Sequence, residues 1–146
     1  MKHLPILISG CLIGLRCRYD GESVPDQMMI KKNIREHYLV VCPEQLGGLP
    51  TPRKRSQIVG GDGKDVLSGK ARVIAEDGRD VTEQFIRGAE EILMLVRLFD
   101  VKRVIFKDKS PSCGVNKIYH GTRSVDGCGV TTALLIQEGL FVEGMI

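Results

Sequence analysis

The stretch Leu4-Pro5-Ile6-Leu7-Ile8-Ser9-Gly10-Cys11 sets a pattern that decides the fold. Its apolar run ends in Ser9-Gly10, as a buried strand does where it enters a turn, and Cys11 follows directly. The same order recurs at 38–41, where a second apolar run stops at Cys42-Pro43. Proline lacks the N–H that a central strand requires, so this strand is predicted to end at the cysteine.

A third apolar run, at 103–106, leads into the loop 107–114, which is rich in charge and contains proline and glycine. This loop carries Cys113. Three thiols are therefore predicted to lie beyond the carboxyl ends of three strands.

The clearest helix lies between the second and third strands. Asp80 is its predicted N-cap, and Glu83 three residues later suggests a capping box. One apolar stripe, at spacings of four and three, predicts the face that packs on a sheet: Phe85, Ala89, Ile92, Val96 and Phe99. A last helix is predicted from about Val130 to Glu138, ending at Gly139, before a short strand over Leu140 to Val142.

The glycine-rich segment 60–78 contains an apolar run at 71–75, which predicts a hairpin or an edge excursion. Elsewhere strands alternate with helices, and this order implies right-handed βαβ units. The chain is therefore predicted to form a single α/β domain over residues 1–146, with a mainly parallel, Rossmann-like sheet and helices on both faces. In such sheets the ligand crevice lies outside the carboxyl ends of the strands, where the strand order reverses.

The composition is that of an ordinary globular protein, with 42% hydrophobic and 27% charged residues. The net charge of +3 is too small to imply a polyanion partner, and the chain has few aromatic residues for stacking on bases, so no nucleic-acid partner is expected. No apolar run approaches the ~20 residues of a membrane helix, and the run before Cys11 is shorter than a signal-peptide core. Five cysteines without a signal peptide favour a reducing, cytoplasmic compartment.

Three thiolates reaching one crevice can hold a metal centre and leave one coordination position open. A closed zinc site needs four ligands, commonly in Cys-x-x-Cys pairs, and this sequence contains no such pair. Iron-sulfur clusters accept thiolates scattered through a fold. Position alone does not separate iron from zinc, and buried cysteines that pack as small apolar side chains are an equal alternative.

Three motifs occur in order along the chain: Ser9–Gly14 with Arg18–Gly21, Cys42–Glu44 with Gly47–Arg53, and Ser110–Gly114. Together they resemble the DUF523 family, whose characterised members are thiouracil desulfurases, and the resemblance spans nearly the whole chain. It implies a [4Fe-4S] cluster on Cys11, Cys42 and Cys113, with the fourth iron binding the sulfur of a small thio-base substrate. Cys17 and Cys128 lie outside the implied ligands. Packing is predicted for Cys17, and the alternative is a neighbour of Cys11 that oxidises with it, since the two are six residues apart.

Glu44 lies two residues from an implied ligand and is the candidate general base that activates water; the alternative is a solvated loop carboxylate. Ser110 and Ser112 flank Pro111, whose fixed φ stiffens the loop. The resemblance favours Ser110 as a catalytic residue, and Ser112 is a candidate for binding the base ring. Serines that only stabilise the turn are the alternative.

Asp20 is a further candidate for substrate binding, although Asp-Gly is also a common turn sequence. Arg53 either reaches into the crevice or orders its rim, while Lys54 and Arg55 are predicted to be solvated surface. The three histidines show no ligand spacing and are predicted to be structural or exposed: His3, His37 and His120.

The sequence thus favours a desulfurase that converts a thiolated pyrimidine into its oxo form and releases sulfide without an external reductant. A metal- or nucleoside-binding module without turnover is the alternative. A cysteine redox protein is disfavoured because no Cys-x-x-Cys pair is present. The sequence does not indicate an oligomeric state.

Overall fold

The computed structural model describes residues 4–23 and 37–146, so His3 lies outside the described residues. In chain order the elements are β1 (Ile6–Ser9), a 3₁₀ helix (Gly10–Ile13), β2 (Tyr38–Val41), α1 (Pro43–Leu46), β3 (Ser56–Val59), α2 (Gly63–Leu67), β4 (Arg72–Ala75), α3 (Thr82–Leu98), β5 (Arg103–Lys107), β6 (Lys117–His120), β7 (Arg123–Asp126), α4 (Val130–Gln137) and β8 (Phe141–Met145).

A four-stranded parallel sheet in the order β2-β1-β5-β8 forms the centre of the fold. The chain moves outward from β1 to β2 and later returns on the other side of β1 as β5, so the strand order reverses between β1 and β5. The Ser9 hydroxyl accepts a hydrogen bond of 3.0 Å from the Lys107 N–H and ties the ends of these two strands together. The predicted α/β class with a parallel sheet and flanking helices is confirmed.

Alternate residues of the central strands pack into two different clusters, as the period of two in a strand requires. Leu7 and Val104 face the helices α3 and α4 and share a cluster with Ile92 and Leu135. On the opposite face, Ile8 packs with residues of the 3₁₀ helix. The sheet is thus apolar on both faces, which is typical of buried parallel strands.

A second core lies beside the sheet and is built on two antiparallel pairs, β3 with β4 and β6 with β7. Ile58, Val73 and Ile118 from these pairs pack with Phe85 of α3. The apolar run at 71–75 is therefore confirmed as one strand of an antiparallel pair outside the main sheet. The β6–β7 hairpin was not predicted, because Ile118 is the one fully buried residue of its two short strands.

The long helix differs from its prediction at both ends. The prediction that Phe99 belongs to the core is wrong, because α3 ends at Leu98 and the Phe99 side chain is 47% exposed. The Val101 N–H instead bonds to the Val96 carbonyl at 2.9 Å, so the chain turns and Val101 enters the core.

The N-cap of α3 is Val81, whose side chain makes no capping hydrogen bond. Asp80 lies one residue further out than predicted, where its carboxylate accepts the Thr82 N–H at 2.9 Å and pairs with Arg72. The last helix and its left-handed Gly139 are confirmed, whereas β8 extends beyond the predicted strand to Met145. Within the described residues, no helix has the length and apolar character needed to cross a bilayer.

Candidate active site and metal centre

A cavity of about 340 Å³ opens at the carboxyl ends of β1, β2 and β5. Its wall includes Cys11, Cys42 and Cys113, so the structure brings together the three thiols that the strand pattern singled out. The cavity lies where the strand order reverses, the usual ligand position in open parallel sheets. Its size is at the lower end of the ~300–1,000 Å³ of small-molecule sites.

Each of the three cysteines is held by a short, well-defined turn. Cys11 lies in the 3₁₀ helix that follows β1, and this helix is closed by Gly14 in the left-handed region at φ 111°. Cys42 directly precedes α1, whose first residue is Pro43, a favourable first helical position for proline. Cys113 lies in the loop after β5.

Helix α1 carries Glu44 and approaches α3 at unusually short range. A Cβ added at Gly47 would lie 2.0 Å from the Gln84 carbonyl oxygen, and one added at Gly88 would lie 2.1 Å from the Pro43 carbonyl oxygen. Both contacts are shorter than any side chain tolerates, so glycine at these two positions allows the close packing. The packing holds Glu44 in place at the cavity wall.

Cys17 is a fourth thiol of this cavity, although packing was the role favoured for it from the sequence. It packs in one apolar cluster with Cys11 and Cys42. The Cys17 carbonyl also accepts a weak bond from the Cys42 thiol at 3.7 Å. The sequence signal was the six-residue spacing from Cys11, which does not by itself indicate the direction of a side chain.

Burial and neighbouring thiols make these cysteines weak acids. Burial raises the pKa of the Cys113 thiol to about 12. A hydrogen bond with Cys11 is the main cause that raises the pKa of Cys17 to about 11, and a hydrogen bond with Cys17, followed by burial, raises the pKa of Cys42 above its ordinary value. Cys17, Cys42 and Cys113 are therefore weakly acidic thiols, and a metal that binds such a thiol must displace its proton.

Glu44 is held from both sides. Its Oε1 accepts a hydrogen bond of 3.0 Å from Nε of Arg53. In this ion pair the Glu44 side chain is 13% exposed and the Arg53 side chain 6%. Its Oε2 accepts a hydrogen bond of 2.7 Å from the Ser112 hydroxyl. The carboxylate is therefore oriented and partly buried, and the solvated loop position considered from the sequence is excluded.

Arg53 uses most of its hydrogen-bonding capacity within the protein. Besides Glu44, the guanidinium donates to the Thr51 hydroxyl at 2.8 Å, the Pro50 carbonyl at 3.2 Å and the Cys17 carbonyl at 3.0 Å. A guanidinium has five N–H donors, so one remains. Arg53, which lines the cavity, thus connects helix α1, the segment 50–51 and the backbone at Cys17.

The two serines of the loop after β5 form a short hydrogen-bonded chain. Their hydroxyl oxygens lie 3.0 Å apart. The single hydroxyl proton of Ser112 is used on Glu44, so Ser110 is the donor to Ser112. The Ser110 oxygen also accepts the backbone N–H groups of Ser112 at 3.1 Å and Cys113 at 3.0 Å. The chain runs from Ser110 through Ser112 to Glu44, and it stabilises the turn at the same time.

Asp108 organises the whole loop and was not recognised from the sequence. This carboxylate, 4% exposed, accepts four backbone N–H groups and the Asn116 amide, all between 2.8 and 3.2 Å. Burial acts to raise the pKa of Asp108, but the backbone bonds from Val115, Lys109, Lys117 and Asn116 outweigh it and hold the pKa below its usual range. The Asp108 carboxylate therefore fixes the loop that presents Ser110, Ser112 and Cys113.

The remaining sequence candidates divide between wall and surface. Arg55 is half-buried and lines the cavity, so the prediction that it is solvated surface is wrong, whereas Lys54 is exposed as predicted. Asp20 is exposed and is not among the residues of the wall; its carboxylate accepts the Glu22 N–H at 3.0 Å in a turn. His37 and His120 are exposed, as predicted.

A family model described as 2-thiouracil desulfurase matches residues 6–144. The chain belongs to the 2-thiouracil desulfurase family. The match begins at the first strand and ends within the last, so it includes the whole cavity wall.

Two proteins are similar to this chain over most of their length. YbbK of Bacillus subtilis (strain 168), described as an uncharacterized protein, is 42% identical over 137 residues, which cover 92% of this chain and 91% of YbbK. The solved structure of the [4Fe-4S]-dependent thiouracil desulfidase TudS (DUF523Vcz) is similar with a TM-score of 0.83 and 37% identity, covering 97% of this chain and 90% of TudS.

The donors on the cavity wall suit an iron-sulfur cluster. They are thiols, the soft ligands that such clusters use, and they come from three separate strand ends. Across residues 4–23 and 37–146, no group of three His, Cys, Asp or Glu side chains is placed to hold a single metal ion. Cys11, Cys42 and Cys113 line one cavity from separate segments of the chain, and iron-sulfur clusters accept thiolates in that arrangement.

Proposed function

We propose that this chain is a [4Fe-4S]-dependent desulfurase that hydrolyses a thiolated pyrimidine, of which 2-thiouracil is the type, to its oxo form. The chain belongs to the 2-thiouracil desulfurase family, and TudS, the solved structure that it resembles, is named for this activity and this cluster. One observation carries the assignment to residues: Cys11, Cys42, Cys113 and Glu44 line one cavity.

The cluster would be held by Cys11, Cys42 and Cys113. When bound, it supplies an iron without a protein ligand, a soft Lewis acid that suits a thiocarbonyl sulfur and draws electrons from the carbon. Cys17 lies among these thiols, and its carbonyl takes part in holding Arg53. We assign Cys17 to the wall and not to the ligand set.

The reaction is a hydrolysis and is balanced without a reductant: 2-thiouracil and water give uracil and hydrogen sulfide. Glu44 is the general base that takes a proton from the attacking water. Its two oxygens already accept bonds from Arg53 and Ser112, and each keeps a further lone pair for water. General base catalysis of this kind contributes about 10²- to 10⁴-fold to a rate.

Ser112 and Ser110 form a hydrogen-bonded chain that connects the general base Glu44 with the cavity. The Ser112 hydroxyl, whose oxygen also lies 3.7 Å from the Cys113 sulfur, fixes the direction of the Glu44 carboxylate. Ser110 donates to Ser112 and lines the cavity, so it is the hydroxyl through which a proton can pass between Glu44 and the substrate. We keep Ser110 as a catalytic residue and Ser112 as a residue that contacts the base ring.

Arg53 acts in this proposal mainly by holding Glu44, with one guanidinium N–H left for the substrate. Asp20 is left out, because its carboxylate closes a turn outside the wall. The five cysteines are all free thiols, and we place the enzyme in a reducing cytoplasm, where thiols and an open cluster persist.

The test is anaerobic reconstitution with iron and sulfide, followed by incubation with 2-thiouracil without a reductant. We expect uracil and sulfide in equal amounts, measured by chromatography and by a colorimetric sulfide assay. Cys113→Ser should abolish both the cluster absorbance and turnover. Cys128→Ser is the matched control, since Cys128 is a buried cysteine outside the cavity wall. A wild-type protein that carries the cluster and binds 2-thiouracil but forms no uracil would contradict the proposal.

A further inference from the structure

Arg55 is held between two aromatic rings at the cavity wall. Its guanidinium carbon lies 5.0 Å from the centre of the Tyr119 ring and 6.0 Å from the centre of the Tyr19 ring, both within cation–π range. The three residues come from separate segments: Tyr19 follows the 3₁₀ helix, Arg55 directly precedes β3, and Tyr119 lies in β6. All three line the cavity.

The backbones on either side of this arrangement are also fixed. The Tyr19 carbonyl accepts the Arg53 N–H at 2.8 Å, and the Arg55 carbonyl accepts the Glu76 N–H at 2.8 Å. Arg18 approaches the Tyr19 ring as well, at 6.0 Å. Arg55 is thus pre-positioned by contacts with its side chain and with its main chain.

The hydrogen-bonding edge of Arg55 has no protein partner within the described ranges 4–23 and 37–146, in contrast to Arg53, which makes four hydrogen bonds. The two carboxylates of the wall are already engaged: Glu44 by Arg53 and Ser112, and Asp108 by backbone N–H groups. A half-buried guanidinium whose N–H groups lack acceptors favours a ligand that supplies one.

We propose that Arg55 is a specificity-determining residue, whose N–H groups donate to the carbonyl oxygen that a thiouracil-type substrate retains away from its sulfur. The inference rests on the proposed function, which supplies the substrate class. A 2-thiouracil ring with its sulfur directed toward the cysteines presents one remaining carbonyl oxygen elsewhere on its edge. Tyr19 and Tyr119 contact the guanidinium through their ring faces and accept no hydrogen bond from it, so its N–H donors remain available to a ligand.

This role predicts discrimination between substrates. A site built to hydrogen-bond a polar group rejects the analogue that lacks it, because the donor is then left without a partner. A hydrogen bond to a charged group contributes about 1.5–3 kcal/mol, which corresponds to a change in affinity of about 10- to 150-fold. The analogue that tests this oxygen is 2-thiopyrimidine, which keeps the sulfur and lacks the carbonyl. It also lacks one ring N–H, so the effect of changing Arg55 is compared between the two ligands.

The experiment compares Arg55→Met with Lys54→Met in reconstituted protein. Methionine retains an unbranched stem but no donor, and Lys54 is the exposed neighbour of Arg55. Dissociation constants of 2-thiouracil and 2-thiopyrimidine are measured by anaerobic equilibrium dialysis with Arg55 and Lys54 variants that also carry Glu44→Gln, which suppresses turnover during the dialysis. The values of kcat and KM for 2-thiouracil are measured with the same variants in the presence of Glu44. We expect Arg55→Met to weaken 2-thiouracil binding about 10- to 150-fold and 2-thiopyrimidine binding less than about twofold, while Lys54→Met changes neither.

Unchanged 2-thiouracil affinity in Arg55→Met would overturn the assignment. An equal loss for both ligands would also overturn it, because Arg55 would then act only as part of the wall. If Arg55→Met does not fold, Arg55→Lys removes the planar donor edge while keeping the charge, and the same selective loss is expected at smaller size. Dialysis separates this proposal from the proposed function, since binding is measured whether or not uracil is formed.

Discussion

Arg53→Met tests whether the ion pair with Glu44 stabilises the cavity. The substitution removes a guanidinium that makes four hydrogen bonds and leaves Glu44, whose side chain is 13% exposed, without its positive partner. Removing one partner of a buried ion pair costs about 3–5 kcal/mol. Water entering the cavity will offset part of this cost, so we expect the free energy of unfolding to fall by about 3 kcal/mol.

A double-mutant cycle isolates the pair from the rest of the rim. The proteins are wild type, Arg53→Met, Glu44→Gln and the double variant, unfolded with urea in the same metal-free state. Because Glu44→Gln removes the charge that Arg53→Met leaves unpaired, the double variant should be less destabilised than the sum of the single variants, by about 1.5–3 kcal/mol.

Additive effects within about 0.5 kcal/mol would refute the reasoning, since they would mean that the two side chains do not interact energetically. The slope of the free energy against urea concentration should be equal in all four proteins. An equal slope shows that the variants change stability and not the extent of unfolding.

Three further outcomes are expected. Glu44→Gln should retain the visible absorbance of the cluster and lose about 10²- to 10⁴-fold in kcat for 2-thiouracil, and an unchanged rate would remove Glu44 from the mechanism. Asp108→Ala leaves four backbone N–H groups without their acceptor and should lower the free energy of unfolding by about 3 kcal/mol or more, measured in urea; a loss below about 1 kcal/mol would show that the loop does not depend on it. Because the folded-state pKa of Asp108 lies below its unfolded value, its stabilisation is complete above about pH 4 and is lost as the pH falls through the folded value; Asp108→Asn should therefore show a flatter decline of stability in acid, and an unchanged decline would contradict this.

The central sheet could be predicted because its signals are local. The apolar runs around Leu7 and Val40 and at 103–106 end in turn residues or proline, and each became a strand of one parallel sheet. A cysteine placed just after such a strand is carried to the same sheet edge as the others, because the carboxyl ends of parallel strands lie together. The placement of Cys11 beside Cys42 in one cavity followed from that rule.

The apolar stripe of α3 could also be predicted because its signal is local, and the prediction was wrong only at the end of the helix. Spacings of four and three identify a face for as long as the helix continues. Phe99 continued the spacing, but the chain turns at Asp100, which adopts a positive φ of 54°, and Val101 takes the buried position. Where a helix stops depends on the packing of the next segment.

The sequence by itself determined the α/β class, the strand ends that carry the thiols, and the family. Only the tertiary structure decided how the cavity wall is held, because its contacts join positions far apart in the chain: Ser112 reaches Glu44 across 68 residues, and Arg53 reaches the Cys17 carbonyl across 36. Arg55 appeared to be one more surface cation in a basic run, and only folding placed it between two tyrosines. Periodicity and turn residues report neighbours along the chain, whereas the direction of a polar side chain is set by the partner that lies opposite it after folding.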